Sequence, residues 1–331
     1  MKRTLLTIIV GALFVVVQSV IAAHGSNPEI WFFLRGSESE SHGVDWRQGW
    51  DKLFLQPDAP WPDFMSHVEV VAISPNVPDD ILAKAVARLR KKHIALAMEV
   101  LAQSWVGQPV CGQNVESYTD PPGAAKIARR IKDAGGELTY ITMDEPLWFG
   151  HYYDGPNACH SSIANVAERA AAIIQEYRNV FPQVIVGDTE PFPALTKQPG
   201  WQDAYQQWLR AFHGSVGQSI VFLNLDINWP EDGGNWAQSV ESAASFAGVE
   251  HLPIGIIYTA SIPGGAKSDK EWTTSAFQNF RRIEEQMKIV PNKALFESWD
   301  SFPKRAVTDQ SGLGEDYLVK QYLLLHGISA K

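Results

Sequence analysis

The chain has 331 residues, 45% hydrophobic and 20% charged, which is enough for one large domain with a substantial buried core. Its formal charge of -9 at pH 7 excludes a polyanion as main ligand, because nucleic-acid binding rests on a basic footprint that the sequence lacks. A neutral or cationic partner stays open.

The first 23 residues read as an export signal: a basic start at Lys2 and Arg3, an apolar run from Leu5 to Val17, and small residues at Ala22 and Ala23. The expected mature chain begins near Ala23 or His24 and forms one catalytic domain over residues 24–331. An uncleaved anchor is the other reading, since Leu5 to Ala23 is just long enough to span a bilayer, with Gln18 and Ser19 weakening its far end. No later segment is long and apolar enough to do so.

Strand one is expected over Ile30 to Gly36, followed by the weakest helix signal, around Trp46 to Leu55. Strand two, Val68 to Ser74, precedes a helix over Asp79 to Lys92, opened by Pro78-Asp79-Asp80 and carrying Ile81, Leu82, Ala85 and Leu89 on one face. Strand three, Ile94 to Leu101, is followed by a helix over Gly123 to Ala134, closed by Gly135-Gly136. Then come strand four, Leu138 to Glu145, a helix over Ile163 to Phe181, strand five, Val184 to Glu190, and a helix over Trp201 to Phe212. Strand six, Ile220 to Asp226, leads to Trp236 to Ala247. Strand seven, Ile254 to Thr259, leads to Trp272 to Met287, and strand eight, Ala294 to Trp299, to Leu318 to Leu325.

Strands alternating with single helices imply right-handed crossovers and a parallel sheet, and eight such units close a ring. The fold class is therefore α/β, a single (β/α)8 TIM barrel. A doubly wound open sheet would carry a glycine-rich phosphate turn after its first strand, which Leu34-Arg35-Gly36-Ser37 does not supply.

In such barrels chemistry gathers at the carboxyl ends of the strands. Here strand three offers Glu99 and Gln103, strand four Asp144 and Glu145, and strand five Asp188 and Glu190. Strand six offers Asn224, Asp226 and Asn228, and strand eight Glu297 and Asp300. Cleavage of a glycosidic bond needs two such groups, an acid to protonate the leaving oxygen and a carboxylate to attack the sugar or activate water. Crowded acids separate these roles, because like charge and desolvation raise some carboxyl pKa values above others. Caps and ion pairs account for single strand-end acids, but not for acids on five strands of one rim.

Met143-Asp144-Glu145-Pro146 resembles the Asn-Glu-Pro ending of strand four in the retaining clan of (β/α)8 glycoside hydrolases. The resemblance implies an acid/base role for Glu145. The chain departs from that pattern where Asp144 replaces the amide and where strand seven ends without the nucleophilic glutamate. Strands four and eight lie opposite each other in an eight-stranded ring, so Glu297 is the expected partner, with Glu190 and Asp226 next.

Twelve tryptophans add flat apolar rings suited to pyranose faces, notably Trp105, Trp148, Trp229 and Trp299 near strand ends. Asp144, Asp226, Asn228 and Tyr258 complete the expected sugar contacts. Arg35 either anchors an acidic sugar or neutralises the acid cluster. Export lets Cys111 and Cys159 pair across two neighbouring rim loops, closing a loop of roughly fifty residues worth about 3 to 4 kcal/mol.

Nine histidines include no His-Glu-x-x-His helix and no His-x-His pair on an early strand, so no catalytic metal and no other cofactor is expected. The stretch Gly264 to Ser268 lacks the first glycine of a phosphate loop and reads as a rim loop. The expectation is an exported, monomeric hydrolase or transglycosidase acting on a poly- or oligosaccharide, without nucleic acid or stable membrane insertion. A non-catalytic glycan-binding barrel in polysaccharide export or assembly, and a barrel enzyme for a phosphorylated metabolite, are the alternatives.

Overall fold

The computed structural model describes residues 27–56, 60–105, 111–229, 236–260, 262–308 and 312–328. The expected export signal lies outside the described residues. Eight parallel strands form a closed barrel: β1 Glu29–Leu34, β2 Val70–Ile73, β3 Ala95–Val100, β4 Leu138–Asp144, β5 Ile185–Phe192, β6 Leu223–Ile227, β7 Ile254–Tyr258 and β8 Lys293–Phe296. Each is hydrogen-bonded to its neighbour in sequence, and β8 closes on β1 through Glu29↔Lys293 to Phe32↔Phe296. The (β/α)8 expectation is met.

A helix follows each strand: α1 Trp46–Trp50, α2 Asp79–Lys92, α3 Pro121–Asp133, α4 Ile163–Val180, α5 Trp201–Val216, α6 Trp236–Val249, α7 Asp269–Arg281 and α8 Glu315–Leu325. The weak first helix is one short α-helical stretch continued by a π-turn over Asp51–Leu55. Two helices start earlier than their apolar periodicity suggests, because caps set the boundary. Asp120 accepts from the Gly123 N–H at 2.6 Å with Pro121 and Pro122 in the first turn, and Ser268 accepts from the Glu271 N–H at 3.2 Å. Ser268 is thus a helix cap, and Lys267 donates to the Gly264 carbonyl, so the glycine-rich rim loop is held by its own hydrogen bonds.

Alternate strand residues serve two apolar layers. Ile30, Phe32, Val71, Ile73, Met98, Ile141, Val186, Leu225, Ile256 and Phe296 face the helices, while Trp31, Val70, Ala72, Ala97, Phe222, Ile257 and Leu295 fill the barrel. Two glycines make room for the filling. A Cβ on Gly187 would lie 2.0 Å from the Phe222 ring, and one on Gly255 would lie 2.1 Å from Asn224 Oδ1. Midway up, the Thr142 and Thr189 hydroxyls pair at 2.6 Å and Asn224 donates to Thr142 at 3.2 Å.

At the amino-terminal end of the strands, the Lys293 ammonium pairs with the Glu29 carboxylate, which also accepts from Trp31 Nε1 at 2.8 Å. That ammonium lies 5.0 to 5.2 Å from the rings of Trp31, Tyr140 and Phe222. No helix among the described residues is long and apolar enough to cross a membrane.

Candidate active site

The carboxyl ends of the strands open into a cavity of about 440 Å³ lined by six acids, Glu99, Glu116, Asp144, Glu145, Asp226 and Glu297, with Asn228, Trp299, Pro191, Ile227 and Ile257. Asp144 reaches it by simple alternation, on the same side of β4 as Thr142. Glu145 does not. The next residue of an extended strand would follow Met143 into the helical layer, but Glu145 has φ 46°, a left-handed conformation that turns its side chain toward the mouth. It is only 8% exposed.

That turn is anchored on both sides. The Glu145 N–H donates to the Thr189 carbonyl at 2.9 Å, and its own carbonyl accepts from Phe149 at 3.0 Å. Behind it stands Glu190, whose two carboxylate oxygens accept from the backbone N–H groups of Leu147 at 2.8 Å and Trp148 at 3.0 Å. Glu190 is 0% exposed and does not line the cavity. It is therefore not placed as a second reacting acid; it holds the segment that carries Glu145.

Glu297 follows β8 on the interior side shared with Leu295 and is 8% exposed. Arg35 sits behind it. Its guanidinium donates to the carbonyls of Asp300 at 2.7 Å and Pro303 at 2.8 Å and lies 3.5 Å from Glu315, so it is spent within the wall and does not contact the cavity. The reading of Arg35 as a sugar anchor is corrected accordingly.

Burial is the largest influence on every acid of the mouth, and neighbouring carboxylates add to it. Glu145 is held well above the usual carboxylate range by desolvation, then by Asp226, Asp144, Glu190 and Glu116. Glu99 and Asp144 are raised in the same way, and Asp226 is pushed up to about 7 by burial and then Glu116. Glu297 is raised by burial, then Asp226, Glu315 and Asp144, but Arg35 opposes the shift. Arg35 is thus a cation among the leading influences on Glu297, whereas the leading charges acting on Glu99, Asp144, Glu145 and Asp226 are carboxylates.

Several expected sugar contacts lie elsewhere. Tyr258, fully buried, points from β7 into the helical layer and donates to Glu284 at 2.5 Å. Trp229 is packed against Trp236 at a ring separation of 5.0 Å. Trp148 packs beside Tyr152 over a small cluster of Val115, Tyr118 and Phe149. Trp105 donates to the Gly112 carbonyl at 3.0 Å and is absent from the cavity lining. Trp299, 46% exposed, does line it. Asp188 is buried in the outer layer, accepting from Tyr205 at 2.7 Å and Trp208 at 2.8 Å, and Gln103 donates to the Val166 carbonyl at 3.2 Å.

Glu116 is the lining acid that strand-end reasoning misses. It lies in the long loop after β3, five positions beyond Cys111, which is bridged to Cys159 as expected. Two short strands, Gln103–Ser104 and Tyr118–Thr119, pair at the base of that loop. The bridged cysteines tie it to the loop after β4, which is the signal that Glu116 belongs to the rim beside Glu145. Among the described residues, no three His, Cys, Asp or Glu side chains are placed to hold a metal ion.

What fold and site define together is a (β/α)8 barrel with an acid-lined mouth. The sequence matches no protein-family profile. It likewise matches no curated protein. Solved structures do share its fold. The intracellular xylanase TsXylA from Thermoanaerobacterium saccharolyticum, a mutant in complex with xylotetraose, superposes with a TM-score of 0.50 at 12% identity, covering 88% of this chain and 95% of its own. A GH10 endoxylanase retrieved from a sugarcane soil metagenome superposes with a TM-score of 0.50 at 10% identity, covering 89% and 97%.

Proposed function

We propose that the protein is an exported glycoside hydrolase acting as a monomer, without cofactor, on a poly- or oligosaccharide. The observation that carries this reading is the left-handed turn at Glu145, which delivers a carboxyl group with a raised pKa into the cavity that also holds Glu297. The glycoside hydrolase resemblance of Asp144-Glu145-Pro146 and the superposition on two xylanases support it.

In this reading Glu145 gives its proton to the glycosidic oxygen as the bond from that oxygen to the anomeric carbon breaks. Glu297, the acid that Arg35 helps to ionise, either bonds to the anomeric carbon or takes a proton from the attacking water. If it bonds, water then cleaves the glycosyl ester and returns its proton to Glu145. Asp226 in place of Glu297 is the second reading, because among the mouth acids Asp226 acts most strongly on Glu145.

The test is a polysaccharide panel assayed with wild type, Glu145→Gln, Glu297→Gln and Asp226→Asn. Glu145→Gln and Glu297→Gln are expected to lose at least about a hundredfold in turnover with the fold intact. Full activity in Glu145→Gln sinks the proposal, and a larger loss in Asp226→Asn than in Glu297→Gln selects the second reading. A barrel that binds glycans and cleaves none is the non-catalytic alternative.

A further inference from the structure

A second cavity, of about 290 Å³, continues the first and shares Glu99 and Asp144 with it; Glu38, Ser74, Asn76 and Thr119 also line it. Between them the two cavities present seven carboxyl groups, Glu38, Glu99, Glu116, Asp144, Glu145, Asp226 and Glu297, and among the described residues no lysine, arginine or histidine in their lining. The side chains of Glu145 and Glu297 belong to residues more than nine-tenths buried and face the cavity, and their carboxyl groups accept no hydrogen bond from the described residues. Arg35, the cation that acts on Glu297, is engaged by Glu315 and two carbonyls behind the wall.

Bond cleavage uses two of these acids. The remainder form a surface rich in acceptors, since among the described residues Asn228, Trp299, Ser74, Asn76, Thr119 and Tyr177 are the lining side chains that carry an N–H or O–H besides the acids themselves. Neutral sugar hydroxyls leave the mutual repulsion of such a surface in place. An acidic glycan adds to it, whereas a cationic one relieves it. A bound metal ion would do so as well, but the described residues do not group to hold one.

We propose that the cleft takes a cationic glycan, one bearing free amino groups on its sugar rings, with Glu99, Glu116 and Asp144 as counter-ions of the ammonium groups. The proposal deepens the hydrolase reading and rests on it for the orientation of the sugar chain. Glu99 and Asp144 stand where the two cavities meet, so one ammonium faces them at the junction. Glu116, an exposed side chain on the bridged loop, meets the substrate from the rim.

The test measures calorimetric binding to Glu145→Gln of glucosamine tetrasaccharides in two linkages, their N-acetylated counterparts and neutral glucose tetrasaccharides. The amino forms of at least one linkage are expected to bind at least about tenfold more tightly than their N-acetylated and neutral counterparts, and the advantage shrinks between about 20 mM and about 0.5 M salt. Adding Glu116→Gln, an exposed position that leaves the core untouched, is expected to cut the advantage several-fold. Equal or tighter binding of the N-acetylated or neutral forms overturns the proposal, as does binding of none. Release of reducing ends by wild type is measured on the same panel. Tight binding of the amino forms without cleavage supports the cationic cleft and overturns the hydrolase reading; cleavage confined to the uncharged forms does the reverse.

Discussion

At the floor of the barrel the carboxylate of Glu29 is matched by the Lys293 ammonium, by the Trp31 indole and by the Tyr140 hydroxyl, while at the mouth six acids face one cavity without a lining cation. Both ends draw on interior-facing residues of the barrel strands, and the mouth adds Glu116 from a loop and Glu145 from the turn after β4. The floor is a charge pair wrapped in three aromatic rings, which satisfies its polar groups and leaves nothing for a ligand to do. The mouth keeps its carboxyl groups unpaired, at a cost in stability, and so holds protons and repulsion that a substrate can use. Polar residues of the floor are spent on closing the barrel, whereas those of the mouth stay open to a ligand.

The largest effect that would break this comparison is at the floor. Lys293→Met leaves Glu29 partly buried without its counter-ion and is expected to destabilise by about 2 kcal/mol while kcat stays at the wild-type value. Denaturant unfolding combined with steady-state kinetics checks both halves, and a large kcat loss would show that floor and mouth are not separable.

A smaller effect is expected at the wall between the layers. Glu190→Gln has one oxygen to offer where two backbone N–H groups now bind, so the segment after Glu145 loosens. Turnover is expected to fall about tenfold with KM little changed, as for a misplaced reacting group. The alkaline limb of the kcat profile should also move to lower pH, because Glu190 is one of the charges that raise Glu145. A change in KM alone would rule out this positioning role.

The smallest effect sharpens the electrostatics. Asp226 binds its proton up to about pH 7 in the folded chain, against an ordinary value of 3.8. The folded state therefore holds a proton that the unfolded chain has released, and stability declines as pH climbs through that window. Asp226→Asn removes the loss: its Tm should exceed wild type by about 2 to 4 °C at pH 8 and match it near pH 4. Equal Tm differences at both pH values would mean that burial and Glu116 do not hold Asp226 protonated.

The barrel itself was legible because strand and helix periods alternate eight times and caps such as Pro78-Asp79-Asp80 punctuate them. Phase within a strand was not. Parallel strands here are apolar on both faces, so the alternation that puts Asp144 inside and Glu190 and Tyr258 outside has no polar side to mark it. Asp144, Asp226, Asn228, Glu297 and Trp299 line the cavity, as their strand-end positions suggest. Glu145 reaches it only through a backbone conformation that no residue count supplies, and Glu116 through a loop without periodicity. A strand-end position suggests sugar platforms at Trp229 and Trp148, but such rings serve packing and sugar binding alike, and here they pack against Trp236 and Tyr152.

The left-handed backbone at residue 145 has an evolutionary corollary. A glutamate there resists its own main-chain geometry by about 1 kcal/mol, a penalty glycine would not bear. A descendant relieved of the need to break bonds would gain ruggedness from a single exchange to glycine, so the acid at this spot trades durability for reach into the mouth.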